Sequence, residues 1–258
     1  MTRFARRALV ASPTPPAQAA AAELADAADW VDCADADVVI ALGGDGFMLQ
    51  TLHAMLERRR QTPVFGMNLG TVGFMMNDWR HHGLDDRLEN ARQVSVTPLS
   101  ATVHAHDGRT HQLHAINEVS LLRETRQTAK LEVAVNDRVV MPELACDGIL
   151  VATPAGSTAY NLSANGPILP LGSALLALTP ISPFRPRRWR GAILPDKTRV
   201  GLRVLNPEKR PVSAVADHRE IRDIARVDVC VDRSRELTLL FDPEHALDDR
   251  ITMEQFVA

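Results

Sequence analysis

The 258-residue sequence predicts two domains, an α/β domain with a parallel sheet followed by a β-sandwich-like domain. Three observations predict this. Short apolar runs alternate with helical stretches up to about residue 95, the rhythm of strands joined by crossover helices. Beyond it, short β-branched runs recur between turn residues, as in an antiparallel sandwich. Hydrophobic residues make up 45% of the chain, enough for a substantial core. The expected boundaries are 1–95, joined by 242–258, and 96–241.

In chain order, Arg7–Ser12 reads as the first strand, Pro13–Pro16 as a turn and alanine-rich Ala17–Ala28 as a helix. Asp37–Leu42 (DVVIAL) is a buried strand, broken sharply by Gly43, Gly44, Asp45 and Gly46. From Phe47 the apolar positions take helical spacing, and Arg58–Arg60 suit a helix C-terminus. Pro63–Met67 is a third strand, running into the glycine-punctuated loop Asn68–Phe74. Both glycine loops fall at strand ends, where α/β sheets place their ligand crevice. Trp79–Val94 reads as a helix.

The second domain's expected strands are Val94–Thr97, Ser100–Ala105, Ala115–Leu122, Lys130–Asn136, Ile149–Ala152, Arg199–Leu205, Val212–Ala216, Val227–Val231 and Glu236–Phe241. Asp242–Ala258 lacks strand texture. Ile251, Met253, Phe256 and Val257 would let it dock on the first domain, and a loosely attached tail is the alternative.

A net charge of −3 gives no electrostatic case for a nucleic-acid or membrane partner. Cys33, Cys146 and Cys230 are odd in number without C-x-x-C spacing, which reads as free thiols in a reducing compartment. No run reaches the ~20 apolar residues that cross a bilayer, and the apolar stretch Ala8–Ala11 is too short for a signal-peptide core. The expectation is a cytoplasmic protein.

Chemistry concentrates in four segments. At Gly44-Asp45-Gly46 a carboxylate sits where a helix start would favour phosphate, so it needs a task such as accepting a proton or approaching through Mg²⁺. The alternative is that Asp45 only caps the helix. Asn117-Glu118 places an amide and a carboxylate inside an apolar strand, where an unpartnered polar group is costly to bury. Thr153–Ser163 is rich in small and hydroxylic residues, with Thr158, Tyr160, Asn161 and Ser163 offering polar groups to a ligand. Ser182–Arg190 is a basic, proline-rich loop, either near phosphates or merely solvated.

Together, Gly43-Gly44-Asp45-Gly46, Asn68-Leu69-Gly70-Thr71-Val72-Gly73-Phe74, Asn117-Glu118 and Asp147-Gly148 leading into Thr153–Tyr160 resemble the NAD kinase family. The glycine–aspartate motif is shared with lipid kinases; Thr153–Tyr160 is the more specific segment. The resemblance implies a NAD kinase/diacylglycerol kinase-like fold. It also implies transfer of the γ-phosphoryl of ATP, with Mg²⁺ or another divalent cation, to the 2′-hydroxyl of the adenosine ribose of NAD, giving NADP. Asp45 would be the base or orienting group for that hydroxyl. Gly44 and Gly46 would flank it at the ligand, with Phe74 against NAD and Asn117 and Glu118 on ribose hydroxyls or adenine edges. Ala155, Thr158, Ala159, Tyr160, Asn161, Leu162 and Ser163 would line the adenosine pocket. Asp147 would reach NAD across a subunit contact, and His218 is a further candidate contact. No metal-ligating protein residue is implied. A homo-oligomer, dimer or tetramer, is expected. Ala145, Ala155 and Asp217-His218-Arg219 depart from the family pattern, where Arg, Thr or Ser, and Asp-Gly-Gln are more usual. The alternatives are an NAD(P)-binding sensor without turnover and a lipid kinase of the diacylglycerol type.

Overall fold

The computed structural model describes residues 3–26, 28–58, 61–71 and 73–243. The chain forms two compact units, one comprising the chain up to Val96 and from Arg235 onward, the other Thr97–Ser234.

In the first unit β1 (Arg7–Ala11), β2 (Val38–Gly43) and β3 (Val64–Asn68) pair in parallel. All six residues of β2 are buried, as expected for a central strand covered on both faces. Helices α1 (Pro15–Glu23) and α2 (Asp45–Arg58) follow β1 and β2. Pro15 and Pro16 open α1, where a missing N–H leaves no bond unmade, so the helix starts inside the segment the sequence reads as a turn. Arg59 and Arg60 lie outside the described residues. Gly66 lets neighbours settle on β3, because a Cβ there would fall 2.3 Å from the Met48 methyl and 2.5 Å from the Met76 sulfur.

The expected helix Trp79–Val94 shrinks to α3 (Leu84–Glu89), after the two-residue strand β4 (Asn77–Asp78) and before β5 (Arg92–Val96). Gly83 at φ +72 sets the helix start, and β-branched Val94 and Val96 join a sheet instead of extending it.

The second unit comprises two six-stranded sheets. One takes the order β10 (Arg138–Cys146), β9 (Ala129–Val135), β14 (Val200–Val204), β17 (Ile224–Val231), β6 (Leu99–Ala105), β7 (Thr110–Ala115). The other runs β13 (Ala192–Pro195), β12 (Leu175–Ile181), β11 (Gly148–Ala152), β8 (Glu118–Arg123), β15 (Val212–Ala216), β16 (Arg219–Ile221). Both are antiparallel, and residues of both, such as Val103, Leu131, Leu121 and Ile149, fill one core. Alternating burial along β6 matches a half-covered face. β10, β12 and β13 are not among the expected strands, although Leu175–Leu178 in β12 is a short apolar run. β10 contains Pro142 and two register shifts, consistent with a sheet edge.

Two further readings need correction. Ala115–Leu122 is not one strand, because Ile116 and Asn117 bend the chain between β7 and β8. The last described strand, β18 (Leu237–Phe241), belongs to the first unit and not the second, pairing parallel with β3 and antiparallel with β5. Its buried Leu237, Leu239, Leu240 and Phe241 are equally suited to either sheet, so pattern alone could not assign it. Buried side chains hold it there. Asn77 donates to Gly66 O and Leu240 O, both at 3.0 Å, and Arg87 grips Asp242 with two bonds of 2.9 and 2.7 Å. The expected docking of Ile251, Met253, Phe256 and Val257 lies outside the described residues.

Candidate active site

In the first unit the strand end of β2 passes through Gly43 and Gly44 directly into α2. Gly44 O accepts the amides of Phe47 and Met48, and Asp45 begins the helix rather than preceding it. A Cβ on Gly43 would press to 2.9 Å from Phe47 Cβ, so this tight strand-to-helix junction requires glycine. Gly46 is exposed, with open space where a Cβ would be.

The Asp45 carboxylate reaches across to the second glycine loop. Oδ2 accepts the Phe74 amide at 2.7 Å and Oδ1 the Met75 amide at 2.9 Å. That loop is shaped by Asn68, whose Oδ1 accepts the Gly70 amide at 3.1 Å. It packs so closely on Gly73 that a Cβ there would sit 2.9 Å from both Asn68 Cγ and Met76 Cβ. The two loops touch, since a Cβ on Gly70 would lie 3.7 Å from Gly44 Cα. The unit thus gathers Gly44, Asp45, Gly46 and Phe74 into one backbone-rich surface, with a carboxylate oriented by two amides.

In the second unit Asn117 and Glu118 stand at the bend between β7 and β8. Asn117 Oδ1 and Glu118 Oε2 are buried without a hydrogen-bond partner among the described residues. Burial, reinforced by the negative charge of Asp217, pushes the Glu118 carboxyl up to about 7. The Tyr160 hydroxyl is pushed up by burial and then by the charges of Glu118 and Asp147. Asp147 precedes β11 and pairs with Arg123.

The Thr153–Ser163 segment folds as a 3-10 turn, Ala155–Thr158, and the single turn α4 (Tyr160–Ser163). Thr153 and Gly156 bind it to Asn117. Thr153 N donates to Asn117 O at 2.9 Å, and a Cβ on Gly156 would meet that oxygen at 2.2 Å. Ala155 is buried, and Thr158, Ala159 and Tyr160 are half-buried. Leu162 and Ser163 lie exposed on α4, and His218 is exposed in the turn between β15 and β16.

Asn161 differs from expectation. Its amide is buried and turned inward, donating to Ser157 O and Pro167 O and accepting from Thr179 Oγ1 at 2.7 Å. Its side chain therefore braces the segment instead of offering a group to a ligand.

Asp217 and Thr153 enter the sequence reading only as members of motifs, with no role of their own. Asp217 Oδ2 accepts the Ile116 amide at 2.7 Å, and Oδ1 accepts those of Asn117 and Glu118 at 3.0 and 3.1 Å. Thr153 Oγ1 donates to Ile116 O at 2.6 Å. The available signal was an acidic residue directly after a strand and outside any helix, a position where a carboxylate commonly accepts backbone amides.

Two family models match the chain: the ATP-NAD kinase N-terminal domain over residues 11–78 and the ATP-NAD kinase C-terminal domain over residues 116–241. A NAD kinase of Rhizorhabdus wittichii is 68% identical over 251 residues, 97% of this chain and 98% of its own. One of Zymomonas mobilis is 62% identical over 254 residues, 98% of each. Among solved structures, yeast NADH kinase complexed with NADH matches with a TM-score of 0.74 at 25% identity over 85% of this chain, which spans 65% of the yeast chain. An NAD kinase from Archaeoglobus fulgidus in complex with ATP matches at a TM-score of 0.77 over 98% of this chain and 100% of the other. At 20% identity that second likeness speaks for the fold alone. The matched regions contain every site residue named above.

Proposed function

The chain belongs to the NAD kinase family and is a phosphotransferase acting on NAD with ATP, and on that premise we propose how its residues divide the reaction. The acceptor is the 2′-hydroxyl of the adenosine ribose of NAD, and the product is NADP. The hydroxyl oxygen bonds to the γ-phosphorus of ATP as the bond to the β,γ-bridging oxygen breaks, and ADP leaves. Phosphoryl transfer of this kind is mostly positioning and charge neutralisation.

Asp45 is the group that orients the hydroxyl and takes its proton. Its two amide bonds from Phe74 and Met75 support that role, because they fix the carboxylate before substrate arrives. Phe74 lies against NAD, and Gly44 and Gly46 leave the backbone open to close approach.

Asn117 and Glu118 hold ribose hydroxyls or adenine edges. The observation that carries this is the pair of buried, unpartnered atoms Asn117 Oδ1 and Glu118 Oε2, which a ligand donor would satisfy. Ala155, Thr158, Ala159 and Tyr160 line the adenosine pocket. Leu162, Ser163 and His218 contribute from its exposed margin, and Asn161 braces it through Ser157, Pro167 and Thr179.

A divalent cation, Mg²⁺ in our reading, accompanies ATP. Mg²⁺ usually takes one or two carboxylates and completes its shell with substrate phosphates and water. Asp45 offers hard oxygen donors with lone pairs beyond the amide bonds they accept, which fits an ion arriving on the nucleotide. When bound it would neutralise charge on the phosphates. We further propose a homo-oligomer, dimer or tetramer, on the exposed Val139, Val140, Phe184 and Ile193 of the second unit, with Asp147 reaching NAD in a neighbouring copy. Cytoplasmic placement rests on the three free thiols.

The test is product formation by the purified protein with ATP, Mg²⁺ and NAD. NADP carrying the new phosphate on the 2′-oxygen, fixed by ³¹P–¹H NMR coupling, supports the assignment. NAD binding without turnover would favour a sensor, and phosphorylation of diacylglycerol in its place a lipid kinase.

A further inference from the structure

Three consecutive amides cannot converge on one acceptor in a regular strand, because neighbouring N–H groups alternate in direction. Ile116, Asn117 and Glu118 donate to the single carboxylate of Asp217, so the chain must bend there, and it does. Successive N–H groups turned inward in this way form an anion-binding concavity. Here the anion is a side chain of the same fold. Asp217 itself sits at φ +52, in the left-handed region that a non-glycine residue enters only with support. Its own amide returns a bond to Glu118 O at 3.2 Å.

The same bend is held from the opposite direction. Thr153 Oγ1 donates to Ile116 O, Thr153 N donates to Asn117 O, and Gly156 lies against the Asn117 carbonyl with no room for a Cβ. Backbone groups on both sides of the bend are therefore engaged. Among the described residues, the buried side-chain atoms of the bend left without a partner are Asn117 Oδ1 and Glu118 Oε2.

We propose that Asp217 is a positioning residue for the dinucleotide, its carboxylate seated in the Ile116–Glu118 bend so that Asn117 and Glu118 present their side chains in one fixed arrangement. This rests on the reading that Asn117 and Glu118 hold NAD. Asp217 has a second effect that packing alone would not produce. Its charge adds to burial in pushing the Glu118 carboxyl up. Among the described residues, the charge of Asp217, in the turn after β15, acts on Glu118, and the charges of Glu118 and of Asp147, ahead of β11, act on Tyr160 of α4.

The experiment uses the full chain and four variants: Asp217→Asn, Thr153→Val, Asn117→Ala and Glu118→Gln. Steady-state kinetics give KM for NAD, KM for ATP and kcat. The Glu118 titration is followed by the ¹³C carboxyl resonance that Glu118→Gln removes. Asp217→Asn keeps the side-chain size but loses the charge and one acceptor oxygen. It is expected to lower kcat/KM for NAD by about 10²-fold, the scale of a 1 Å misplacement, chiefly through KM for NAD. The Glu118 midpoint should move to lower pH. Thr153→Val loosens the bend from the other side and should raise KM for NAD without moving that midpoint.

A wild-type KM for NAD in Asp217→Asn, or an unmoved Glu118 midpoint, overturns the proposal. Should Asp217→Asn fail to fold, Asp217→Ser keeps one oxygen acceptor at the turn. If both unfold, Asp217 serves the fold alone and the proposal fails. Unchanged KM for NAD in Asn117→Ala and Glu118→Gln would instead sink the reading that these residues hold NAD. An effect there without one in Asp217→Asn overturns only the positioning role.

Discussion

Glu118→Gln separates what a side chain does for binding from what it costs the fold. Burial first and the Asp217 charge second push this carboxyl from its ordinary 4.5 up to about 7. The folded state therefore binds its proton more tightly than the unfolded state. That contribution to stability is full below about pH 4.5 and is lost as pH rises through about 7. At 1.36 kcal/mol per pH unit, the loss is about 1 kcal/mol at pH 5 and about 3 kcal/mol at pH 8. Glutamine has the same shape and never ionises, so it escapes this loss. The variant should match the wild type near pH 5 to within about 1 kcal/mol and exceed it by about 3 kcal/mol at pH 8. At about 2–4 °C per kcal/mol for a chain of this size, Tm at pH 8 should rise by roughly 6–12 °C. Binding should move the other way. A hydrogen bond to a charged group contributes about 1.5–3 kcal/mol, so NAD affinity above pH 7 should fall about 10- to 100-fold. Urea and thermal unfolding at pH 5 and 8, with calorimetric NAD titration at pH 8, make the comparison. A stability difference that is the same at both pH values would mean that Glu118 does not titrate with a raised midpoint in the folded protein.

Gly156→Ala forces a methyl against Asn117 backbone atoms 2.2–2.5 Å away, none of which can rotate aside. Overpacking of this kind costs about 1–3 kcal/mol, and the displaced bend should also raise KM for NAD; a variant with wild-type Tm and KM would contradict the tight contact. Asp242→Ala leaves the Arg87 guanidinium buried without its carboxylate. Removing one partner of such a pair costs about 3–5 kcal/mol, read as a lower urea midpoint. A change under about 1 kcal/mol would mean that the pair does not hold β18 in its sheet.

The parallel core of the first unit was legible because β1, β2 and β3 are short apolar runs divided by Gly and Pro. α3 was overread because Trp79–Val94 has acceptable helical spacing, and only pairing with β18 shows why Arg92–Val96 becomes a strand. No local pattern can report such a partner 143 residues away in the chain, as the register of Ser95 with Thr238 requires. In the second unit, Asn117 and Glu118 stood out as polar residues in an apolar run. The bend that presents them did not, since its cause is a carboxylate 99–101 positions onward. Asn161 shows the converse limit. Among hydroxyls and amides it resembled a ligand contact, and only the structure separates it, by the inward bonds to Ser157, Pro167 and Thr179.

We propose that Asp45 serves the chemical step, held ready by the Phe74 and Met75 amides. The most direct measurement is kcat for NADP formation in Asp45→Asn, set beside the Kd for NAD from calorimetry. Asparagine keeps the size and one acceptor oxygen but is a far weaker base. A base at Asp45 predicts a kcat lower by about 10²–10⁴-fold with NAD affinity close to wild type, and a Tm lowered only by the one backbone amide that asparagine cannot accept. A variant that turns over at the wild-type rate would contradict it, as would one whose loss of activity is matched by loss of NAD binding.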